Sequence, residues 1–343
     1  MPMSVITMKL KAKLYCLLFL SLLLFEFNTM KKDKESNTHS LKYELIKGWL
    51  QFPKDFHMGQ VAGVSVDKNQ NVVFFQRTDR KWTGPFPDSL ISSNTIFIVD
   101  KETGKILYSW GANLFIMPHG LTVDNDNNIW VTDVALQQVF KFSHEGQLLM
   151  KIGVAKTPGD DSAHFNLPTD VAVARDGSFY VSDGYENSRV VKFSKEGNYL
   201  FDWGKRGTGP GEFNIPHSIS LDSHGNVYVA DRENNRIQKF DGKGKFLKEW
   251  KNDEATSLFA LSVSQADNIF AVDDLYVNDS LPMGDDVLQF DVNLDLQMRF
   301  GRNDSSIDGY SLYHDIAVDN KENIYVADVA RSRIEKFKKM PDN

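Results

Sequence analysis

One pattern recurs six times along this chain, and it constrains the fold more than any other feature. Each unit has a short apolar strand, a turn rich in Asp, Asn and Gly, an alternating strand that ends near Asp, a loop, and a strand rich in Lys and Phe. The first strands are VAGVSVD (61–67), PHGLTVD (118–124), PTDVAVA (168–174), PHSISLD (216–222), LFALSVS (258–264) and YHDIAVD (313–319). Such evenly spaced short strands are typical of all-β repeat architectures.

A fourth strand closes four of the units: ILYSWG, NYLFDWG, KFLKEW and LQMRFG. Four strands in a unit of roughly 40–50 residues are typical of a propeller blade, so the sequence predicts an all-β, six-bladed β-propeller. The last unit stops after its third strand, RIEKF (333–337), and leaves an edge that would invite unwanted pairing. The segment YELIKGWL (43–50) resembles a fourth strand, with Trp49 in place of the tryptophans of other units. We therefore expect this N-terminal strand to close the ring.

The two ends of the chain differ from the repeats. Residues 1–30 combine the basic stretch KLKAK with the apolar run LYCLLFLSLLLF, a pattern typical of a signal peptide or of an uncleaved N-terminal anchor. A polar linker follows at 31–42, the propeller is predicted at 43–338, and a tail at 339–343. We expect an exported protein, either secreted, periplasmic or anchored outside the cytoplasm, with no membrane span beyond that anchor.

Composition excludes some classes of protein. A hydrophobic content of 41% and a charged content of 25% are those of a soluble globular chain. The formal net charge of −7 lacks the basic footprint of a nucleic-acid-binding protein, so no nucleic-acid partner is expected. Cys16, the only cysteine, lies in the apolar leader. The exported part therefore has no disulfide, and its core or bound metals must hold it together.

Histidine occupies the same position in alternate units. Aligned on the end of the first strand, this position reads Ala62, His119, Thr169, His217, Phe259 and His314. First strands line the channel of a propeller, and alternate blades of six lie about 120° apart, so we expect the three imidazoles to converge on the axis. Three imidazoles with an open fourth position form a catalytic zinc arrangement, although copper, iron and nickel also accept imidazole. The alternative is that histidine merely caps the turn at this position. The remaining histidines show no such phase and are expected at the surface: His39, His57, His144, His164 and His224.

The loop after the second strand differs from unit to unit. Its first position reads Arg77, Val134, Gly184, Arg232, Asp274 and Val329, and Tyr185 follows the glycine. We expect these loops on one face, around the channel mouth. Two arginines and a tyrosine beside a cation favour an anionic substrate, and a tyrosine near a divalent cation can act as a base. The alternatives are ion pairs between blades for the arginines and a packed loop aromatic for Tyr185. Three further arginines, expected on the outer side, are read as structural: Arg189, Arg236 and Arg333.

Several segments together resemble one family. They are GQVAGVSVD, NLFIMPHGLTVD, VTDVALQQVFKF, SDGYENSR, GEFNIPHSISL and VADRENNRIQKF. They resemble the peptidyl-α-hydroxyglycine α-amidating lyase domain of peptide-amidating enzymes, and the repeats are of the NHL type. The resemblance spans residues 45–338. It implies a six-bladed propeller with a zinc ion in its channel, which cleaves the C–N bond of a peptidyl-α-hydroxyglycine to give a peptide amide and glyoxylate.

The resemblance also implies particular site residues. The zinc ligands of the family match His119, His217 and His314. Its catalytic tyrosine matches Tyr185, and its active-site arginines match Arg77 and Arg232. A structural calcium ion would be held by backbone carbonyls matching Val61 and Leu121 and by a carboxylate matching Asp315. The chain departs from the family in having no disulfides in its blades and in carrying Tyr313 where the family has proline.

The substrate and the class of protein leave alternatives. No copper monooxygenase domain precedes the propeller here, so we expect a separate monooxygenase to supply the hydroxyglycine, or another small carbinolamide such as a ureido hydroxy acid to be the substrate. In either case a terminal carboxylate is expected. The alternative function is a non-enzymatic NHL propeller that binds a peptide or protein on its face. A propeller hydrolase such as a lactonase fits less well, because that class usually binds metal through carboxylate and amide oxygens.

Overall fold

The computed structural model describes residues 42–254, 256–275, 283–301 and 311–341. The predicted leader and the linker up to residue 41 lie outside the described residues. The propeller lies in one compact unit, residues 45–339, and the described residues 42–44, 340 and 341 belong to a second, smaller unit. In the smaller unit the Met340 amide donates to the Lys42 carbonyl at 2.7 Å. None of the described residues belongs to a helix that has the length and apolar character to cross a bilayer.

In the described part of the chain the regular elements are strands, with one 3-10 turn at Arg232–Asn234. The first thirteen strands are β1 (Tyr43–Leu45), β2 (Val61–Val66), β3 (Val72–Gln76), β4 (Ile96–Val99), β5 (Ile106–Trp110), β6 (Pro118–Val123), β7 (Ile129–Asp133), β8 (Gln138–Phe142), β9 (Leu148–Ile152), β10 (Asp170–Val173), β11 (Phe179–Asp183), β12 (Arg189–Phe193) and β13 (Tyr199–Trp203). The others are β14 (Pro216–Leu221), β15 (Val227–Asp231), β16 (Arg236–Phe240), β17 (Phe246–Lys251), β18 (Thr256–Val263), β19 (Ile269–Leu275), β20 (Met283–Phe290), β21 (Leu296–Phe300), β22 (Tyr313–Val318), β23 (Ile324–Asp328) and β24 (Arg333–Lys339).

These strands form six antiparallel sheets of four strands each, which are the blades. Blades 1 to 5 take their strands in chain order, from β2–β5 to β18–β21, and blade 6 has the order β1-β24-β23-β22. Strand β2 contacts β6 on one side and β22 on the other, and β10, β14 and β18 continue the same series. The first strands therefore form a closed inner ring, and the predicted six-bladed β-propeller is confirmed.

The ring is closed by the N-terminal strand, as predicted, but over fewer residues. The Ile46 amide donates to the Lys336 carbonyl at 2.8 Å and extends the pairing with the last blade. The predicted strand 43–50 is too long, because β1 ends at Leu45. Gly48 then adopts a left-handed conformation with φ of +66°, which favours glycine and turns the chain.

Trp49 lies beyond this turn, yet it fills the place predicted for it. Its Nε1 donates to the Lys101 carbonyl at 2.9 Å. In blade 1, Trp110 Nε1 donates in the same way to the His144 carbonyl at 3.2 Å. Each tryptophan thus ties the outer edge of one blade to a turn of the next blade. Trp49 is buried, with 6% of its surface exposed.

A chain shortened to begin at residue 53 is expected to lose much of its stability. The truncation removes the partner of β24 and leaves an open sheet edge, which favours aggregation. It also removes buried Trp49, and the loss of a buried tryptophan side chain costs about 3–5 kcal/mol. Thermal unfolding and the soluble fraction after expression measure the effect. A chain that begins at residue 42 is the matched control, and equal melting of the two chains would show that the closing strand does not stabilise the ring.

The core lies between adjacent blades. Trp130 of β7 packs on Phe179 of β11, with ring centroids 4.6 Å apart. Trp49 packs in the same manner near Tyr325, at 5.4 Å. Full burial of a large apolar side chain contributes about 1.5–3 kcal/mol, and such contacts recur around the ring. The blades are therefore fixed against one another, and so are the side chains that they carry into the channel.

The aspartate that ends the second strand of four blades, in β7, β11, β15 and β23, has a structural role. Asp133 accepts a hydrogen bond from the Ile116 amide at 2.6 Å, and Asp231 accepts one from the Asn214 amide at 2.7 Å. These amides precede the first strand of the same blade, so the carboxylate fixes the chain just before the channel residue. Asp231 also pairs with Arg236 at 2.7 Å, which is consistent with the predicted structural role of that arginine.

Candidate active site

Each histidine of the predicted triad lies at a β-bulge in an innermost strand. The register shifts beside His119 in β6, beside His217 in β14 and beside His314 in β22. A bulge breaks the regular alternation of side chains and re-aims one of them. The bulges therefore allow these three side chains to meet inside the ring.

The three imidazoles form a compact cluster. Their ring centroids lie 4.8 Å apart for His119 and His217, 4.7 Å for His119 and His314, and 4.9 Å for His217 and His314. One ring nitrogen from each lies within 4.8 Å of the others. All three side chains are buried. The convergence inferred from their two-blade spacing is therefore present in the folded chain.

The orientation of each ring is set by the neighbouring blade. Each Nδ1 donates to the backbone carbonyl of the residue in the equivalent position of the next blade. The pairs are His119 with Thr169 at 2.7 Å, His217 with Phe259 at 2.8 Å, and His314 with Ala62 at 2.7 Å. An Nδ1 that donates its hydrogen leaves the lone pair on Nε2. Blades 2, 4 and 6 thus supply the imidazoles, and blades 3, 5 and 1 hold them.

The electrostatics keep these imidazoles neutral. Burial lowers the pKa of His119 and of His217 well below the usual value, and the neighbouring histidines lower it further. Burial, with a contribution from the charge of Arg77, lowers the pKa of His314 to about 3. Metals bind the neutral imidazole, and a carbonyl on the other ring nitrogen is the usual support for a metal-binding histidine. Three such nitrogens fit a zinc ion with an open fourth position.

Tyr185 reaches this cluster from the loop after β11. Its hydroxyl oxygen lies 3.0 Å from His119 Nε2 and 3.1 Å from His217 Nε2. Gly184 before it explains the different sequence of this blade, since a Cβ there would lie 2.1 Å from the Pro216 carbonyl oxygen. Burial raises the pKa of Tyr185, and the positive charges of the arginines at 232 and 77 oppose that shift.

Arg77 lies on the same face and is 2% exposed. Its Nε donates to the Pro118 carbonyl at 2.9 Å and its Nη1 to Gln60 Oε1 at 3.3 Å. Its Nη2 is buried without a hydrogen-bond partner among the described residues. Burial lowers the pKa of Arg77 to about 10, so the side chain remains a cation at neutral pH. A buried cation with an unused N–H group is suited to bind an anionic substrate group.

Arg232 also contacts Tyr185. Its guanidinium carbon lies 5.4 Å from the centre of the Tyr185 ring and 5.0 Å from that of Phe259. Its Nε donates to Glu233 at 2.8 Å, and 16% of its side chain is exposed. Both arginines predicted from the loop positions therefore converge on Tyr185. Phe259 occupies the histidine position in blade 5 and forms an apolar wall beside the cluster.

A second group of polar residues lies in the same channel. Asp315 and Asp170 line both the narrow space at the histidines and a larger cavity of about 390 Å³. Burial is the main cause that raises the pKa of Asp315 well above its usual value, and the charge of Asp170 adds to it. Burial likewise raises the pKa of Asp170 to about 7. Two neighbouring carboxylates, of which Asp170 is buried and Asp315 is half-buried, are a natural site for a divalent cation.

The predicted calcium ligands differ in their position relative to this cavity. Leu121 and Asp315 line the larger cavity, whereas Val61 is not among its lining residues and Val64 is. The Val64 amide donates to Asp315 Oδ2 at 2.8 Å. Val64 lies two residues after Ala62, just as Leu121 lies two residues after His119. Val64 and Leu121 therefore occupy equivalent positions in the repeat.

Asp170 was missed by the sequence analysis, although a signal for it existed. Asp170 comes directly after Thr169, just as Asp315 comes directly after His314. The next position of the repeat alignment therefore holds both carboxylates. Trp82 was missed as well, because it lies in a loop outside the repeat pattern. Its indole ring lies 4.8 Å from the Tyr185 ring.

The other predicted residues lie outside this site. His57 and His224 are exposed, as expected. His144 was also expected at the surface, but only 12% of its side chain is exposed. Its Nε2 lies within hydrogen-bond distance of Asp67 Oδ2, at 3.1 Å. His164 is half-buried, and His39 falls outside the described residues. The two remaining structural arginines form ion pairs: Arg189 with Asp183 and Arg333 with Asp328.

Fold and site together define a class: a six-bladed β-propeller of NHL type with a three-histidine cluster in its channel. A family model described as a 6-bladed beta-propeller matches residues 159–283, and the NHL repeat model matches residues 115–142. A probable peptidyl-alpha-hydroxyglycine alpha-amidating lyase of Caenorhabditis elegans is 36% identical, over 81% of this chain and 82% of that protein. The chain therefore belongs to the peptidyl-α-hydroxyglycine α-amidating lyase family, and the resemblance predicted from its motifs is confirmed.

Two further comparisons place the chain among longer proteins and known folds. Peptidyl-glycine alpha-amidating monooxygenase B of Xenopus laevis is 40% identical over 82% of this chain, which spans 34% of that protein. The chain thus spans about a third of the length of such curated relatives. A streptogramin B lyase structure matches with a TM-score of 0.56 at 16% identity and covers 86% of this chain and 97% of its own. At that identity the likeness shows the fold alone.

Proposed function

We propose that this protein is a zinc-dependent carbon–nitrogen lyase. Its substrate is a peptidyl-α-hydroxyglycine or a similar small carbinolamide, and its products are an amide and glyoxylate. The observation that carries the proposal is the hydroxyl of Tyr185 within 3.1 Å of two Nε2 atoms of the histidine cluster. The names of the related lyases from Caenorhabditis elegans and Drosophila melanogaster support the same reaction class.

Zinc fits this donor set, and it is the metal that the resemblance to the lyase family implies. His119, His217 and His314 would hold it through three neutral imidazole nitrogens. When bound, zinc would lower the pKa of a hydroxyl group that it contacts. We propose that Asp315 and Asp170, together with the backbone carbonyls of Val64 and Leu121, hold a calcium ion. Hard cations of this size take carboxylate and carbonyl oxygens as ligands.

The residues of the chain account for the rest of the reaction. Tyr185 accepts the proton of the substrate hydroxyl. The electrons of the O–H bond form the carbonyl of glyoxylate, and those of the C–N bond pass to the amide nitrogen. That nitrogen takes up a proton, so the step is redox-neutral and needs no co-reactant. Arg77 binds the terminal carboxylate through its unused Nη2, and Arg232 favours the anionic form of Tyr185 through its charge.

One experiment tests the activity and the metals together. Purified protein is incubated with N-benzoyl-α-hydroxyglycine and, separately, with a ureido hydroxy acid, and the release of glyoxylate is measured. Elemental analysis of the same sample is expected to give about one equivalent of zinc, as for a single three-histidine centre, and about one of calcium for a single oxygen-ligand site. A protein full of zinc that releases no glyoxylate from either compound would contradict the lyase proposal.

The alternative function is a propeller that binds a peptide without reacting. A binding surface requires neither three neutral imidazoles in a buried cluster nor a tyrosine hydroxyl on their Nε2 atoms. The buried N–H group of Arg77 that has no acceptor among the described residues is also better explained by a small anionic substrate. These features favour the enzyme.

Alanine substitutions of the two arginines are expected to differ in kind. Arg77→Ala removes the proposed carboxylate contact, and since a hydrogen bond to a charged group contributes about 1.5–3 kcal/mol, KM should rise roughly 10- to 100-fold. Arg232→Ala removes the positive charge that rests on Tyr185, so kcat should fall more than KM rises. Steady-state kinetics on N-benzoyl-α-hydroxyglycine separate the two. The opposite pattern would exchange the proposed roles.

A further inference from the structure

Blade 1 carries a long loop on the active-site face. The loop joins β3 to β4 and spans residues 77–95. The equivalent connections in four other blades span only residues 134–137, 184–188, 232–235 and 329–332. The loop is fixed near its end, where the Ile91 amide donates to the Phe115 carbonyl at 2.8 Å. The longer loop of blade 1 therefore lies at the mouth of the channel and is held there by a backbone hydrogen bond.

Trp82 is the residue of this loop that reaches the site. Its indole lies 4.8 Å from the Tyr185 ring and 6.1 Å from the His119 ring, measured between centroids. The guanidinium carbon of Arg77 lies 5.2 Å from the indole centroid. Trp82 thus contacts a zinc-ligand candidate, the candidate base and the candidate carboxylate-binding residue together.

The same indole is open to solvent. Trp82 is 39% exposed, and the loop residues on either side of it are exposed as well. Phe86 of this loop instead packs against the core between blades 1 and 2. A large apolar ring that remains uncovered at the edge of a buried polar site gains free energy when another apolar group covers it. The exposed face of Trp82 is therefore a ready contact surface for part of a substrate.

The direction of the substrate decides which part makes this contact. The carboxylate end is held by Arg77, which is buried, and the reacting hydroxyl lies at Tyr185. The floor of the site is closed by the buried histidines. The acyl side of the scissile bond must therefore point outward, past the indole of Trp82.

We propose that Trp82 determines specificity for the residue that precedes the hydroxyglycine. Its indole stacks on that side chain, so the enzyme prefers an aromatic or large apolar residue there. This inference rests on the proposed lyase function and adds the class of its substrate. The contact is a binding contact, and Trp82 takes no part in moving protons.

The kinetic test compares two substrates, N-acetyl-phenylalanyl-α-hydroxyglycine and N-acetyl-glycyl-α-hydroxyglycine. The wild-type protein is expected to favour the first in kcat/KM. Trp82→Ala should reduce that preference roughly 10-fold, mainly through KM, because the aromatic contact and its buried area are both lost. Trp82→Phe should restore part of it. Tyr199→Ala is the matched control, since Tyr199 is an equally exposed aromatic residue at 39% on β13, and it should keep the wild-type preference.

A binding test separates this inference from the reaction itself. N-acetyl-phenylalanyl-glycine lacks the hydroxyl and cannot be cleaved, and its binding should change the tryptophan fluorescence of the wild-type protein but not that of Trp82→Phe. N-acetyl-glycyl-glycine should bind more weakly. An unchanged substrate preference in Trp82→Ala overturns the inference while the lyase stands. If no substrate yields glyoxylate, the lyase proposal fails and fluorescence decides: tighter binding of the phenylalanyl compound supports the role of Trp82, and equal binding overturns it.

Discussion

Replacement of His217 by alanine is expected to remove the bound zinc and nearly all activity. The substitution deletes one of three nitrogen ligands from a buried cluster in which each ring lies within 4.9 Å of the other two. A catalytic zinc site has three protein ligands, and with two it no longer holds the metal at ordinary concentrations. Changes to residues that merely support a ligand already lower metal affinity by about 10–100-fold. The loss of a ligand itself should therefore lower the zinc affinity by more than roughly 100-fold. Elemental analysis and glyoxylate release measure both effects.

A surface histidine gives the matched control. His224 is exposed, and its substitution by alanine should leave the zinc content and the rate at wild-type values. The same loss is expected for His119→Ala and His314→Ala, because the three positions are equivalent in the ring. If a chain that lacks all three imidazoles still carried a full equivalent of zinc, the metal assignment would be wrong.

Replacement of Tyr185 by phenylalanine is expected to lower kcat by roughly 10²–10⁴-fold, the usual contribution of a positioned general base. Phenylalanine keeps the ring that packs against Trp82, His119 and His217, so the local structure should persist. The zinc content should not change, because the imidazole nitrogens remain in place. The variant therefore separates the proton-transfer role of the hydroxyl from the integrity of the metal site.

The control for this variant is Tyr199→Phe. The Tyr199 hydroxyl donates to Asp202 on an outer strand, and its removal should leave kcat unchanged. A Tyr185→Phe protein with the wild-type rate and full zinc would exclude Tyr185 as the base. Wild-type zinc content together with the expected fall in kcat would assign the base to this hydroxyl.

The alternation of blades explains how one repeat produces a three-fold site. Even-numbered blades carry a histidine at the channel position, and odd-numbered blades carry Ala62, Thr169 and Phe259. The odd-numbered positions contribute their carbonyls, so their side chains are free to vary. Ala62 is small, and Phe259 forms a wall beside Arg232. The identical backbone builds the histidine cluster, and the variable side chains shape the space around it.

The sequence by itself determined the architecture and the membership of the histidine cluster. Strand alternation, turn residues and a constant period are local properties, and they predict six blades, the closing N-terminal strand and the channel position of His119, His217 and His314. Deviations from the repeat also identified Tyr185, Arg77 and Arg232, since equivalent loops must lie on the same face of a ring. The six repeats of this chain can be aligned with one another, so a single sequence was sufficient to predict these positions.

Only the tertiary structure decided how the residues meet. The bulges beside the histidines and the carbonyls that hold their Nδ1 atoms depend on contacts between blades. The same is true of the pairing of Asp170 with Asp315, and of the position of Val64 and Leu121 at the cavity wall. Trp82 lies outside the repeat, so no period places it. Its position over Tyr185 follows from the path of one irregular loop, and such a path is set by packing against distant residues and not by local sequence.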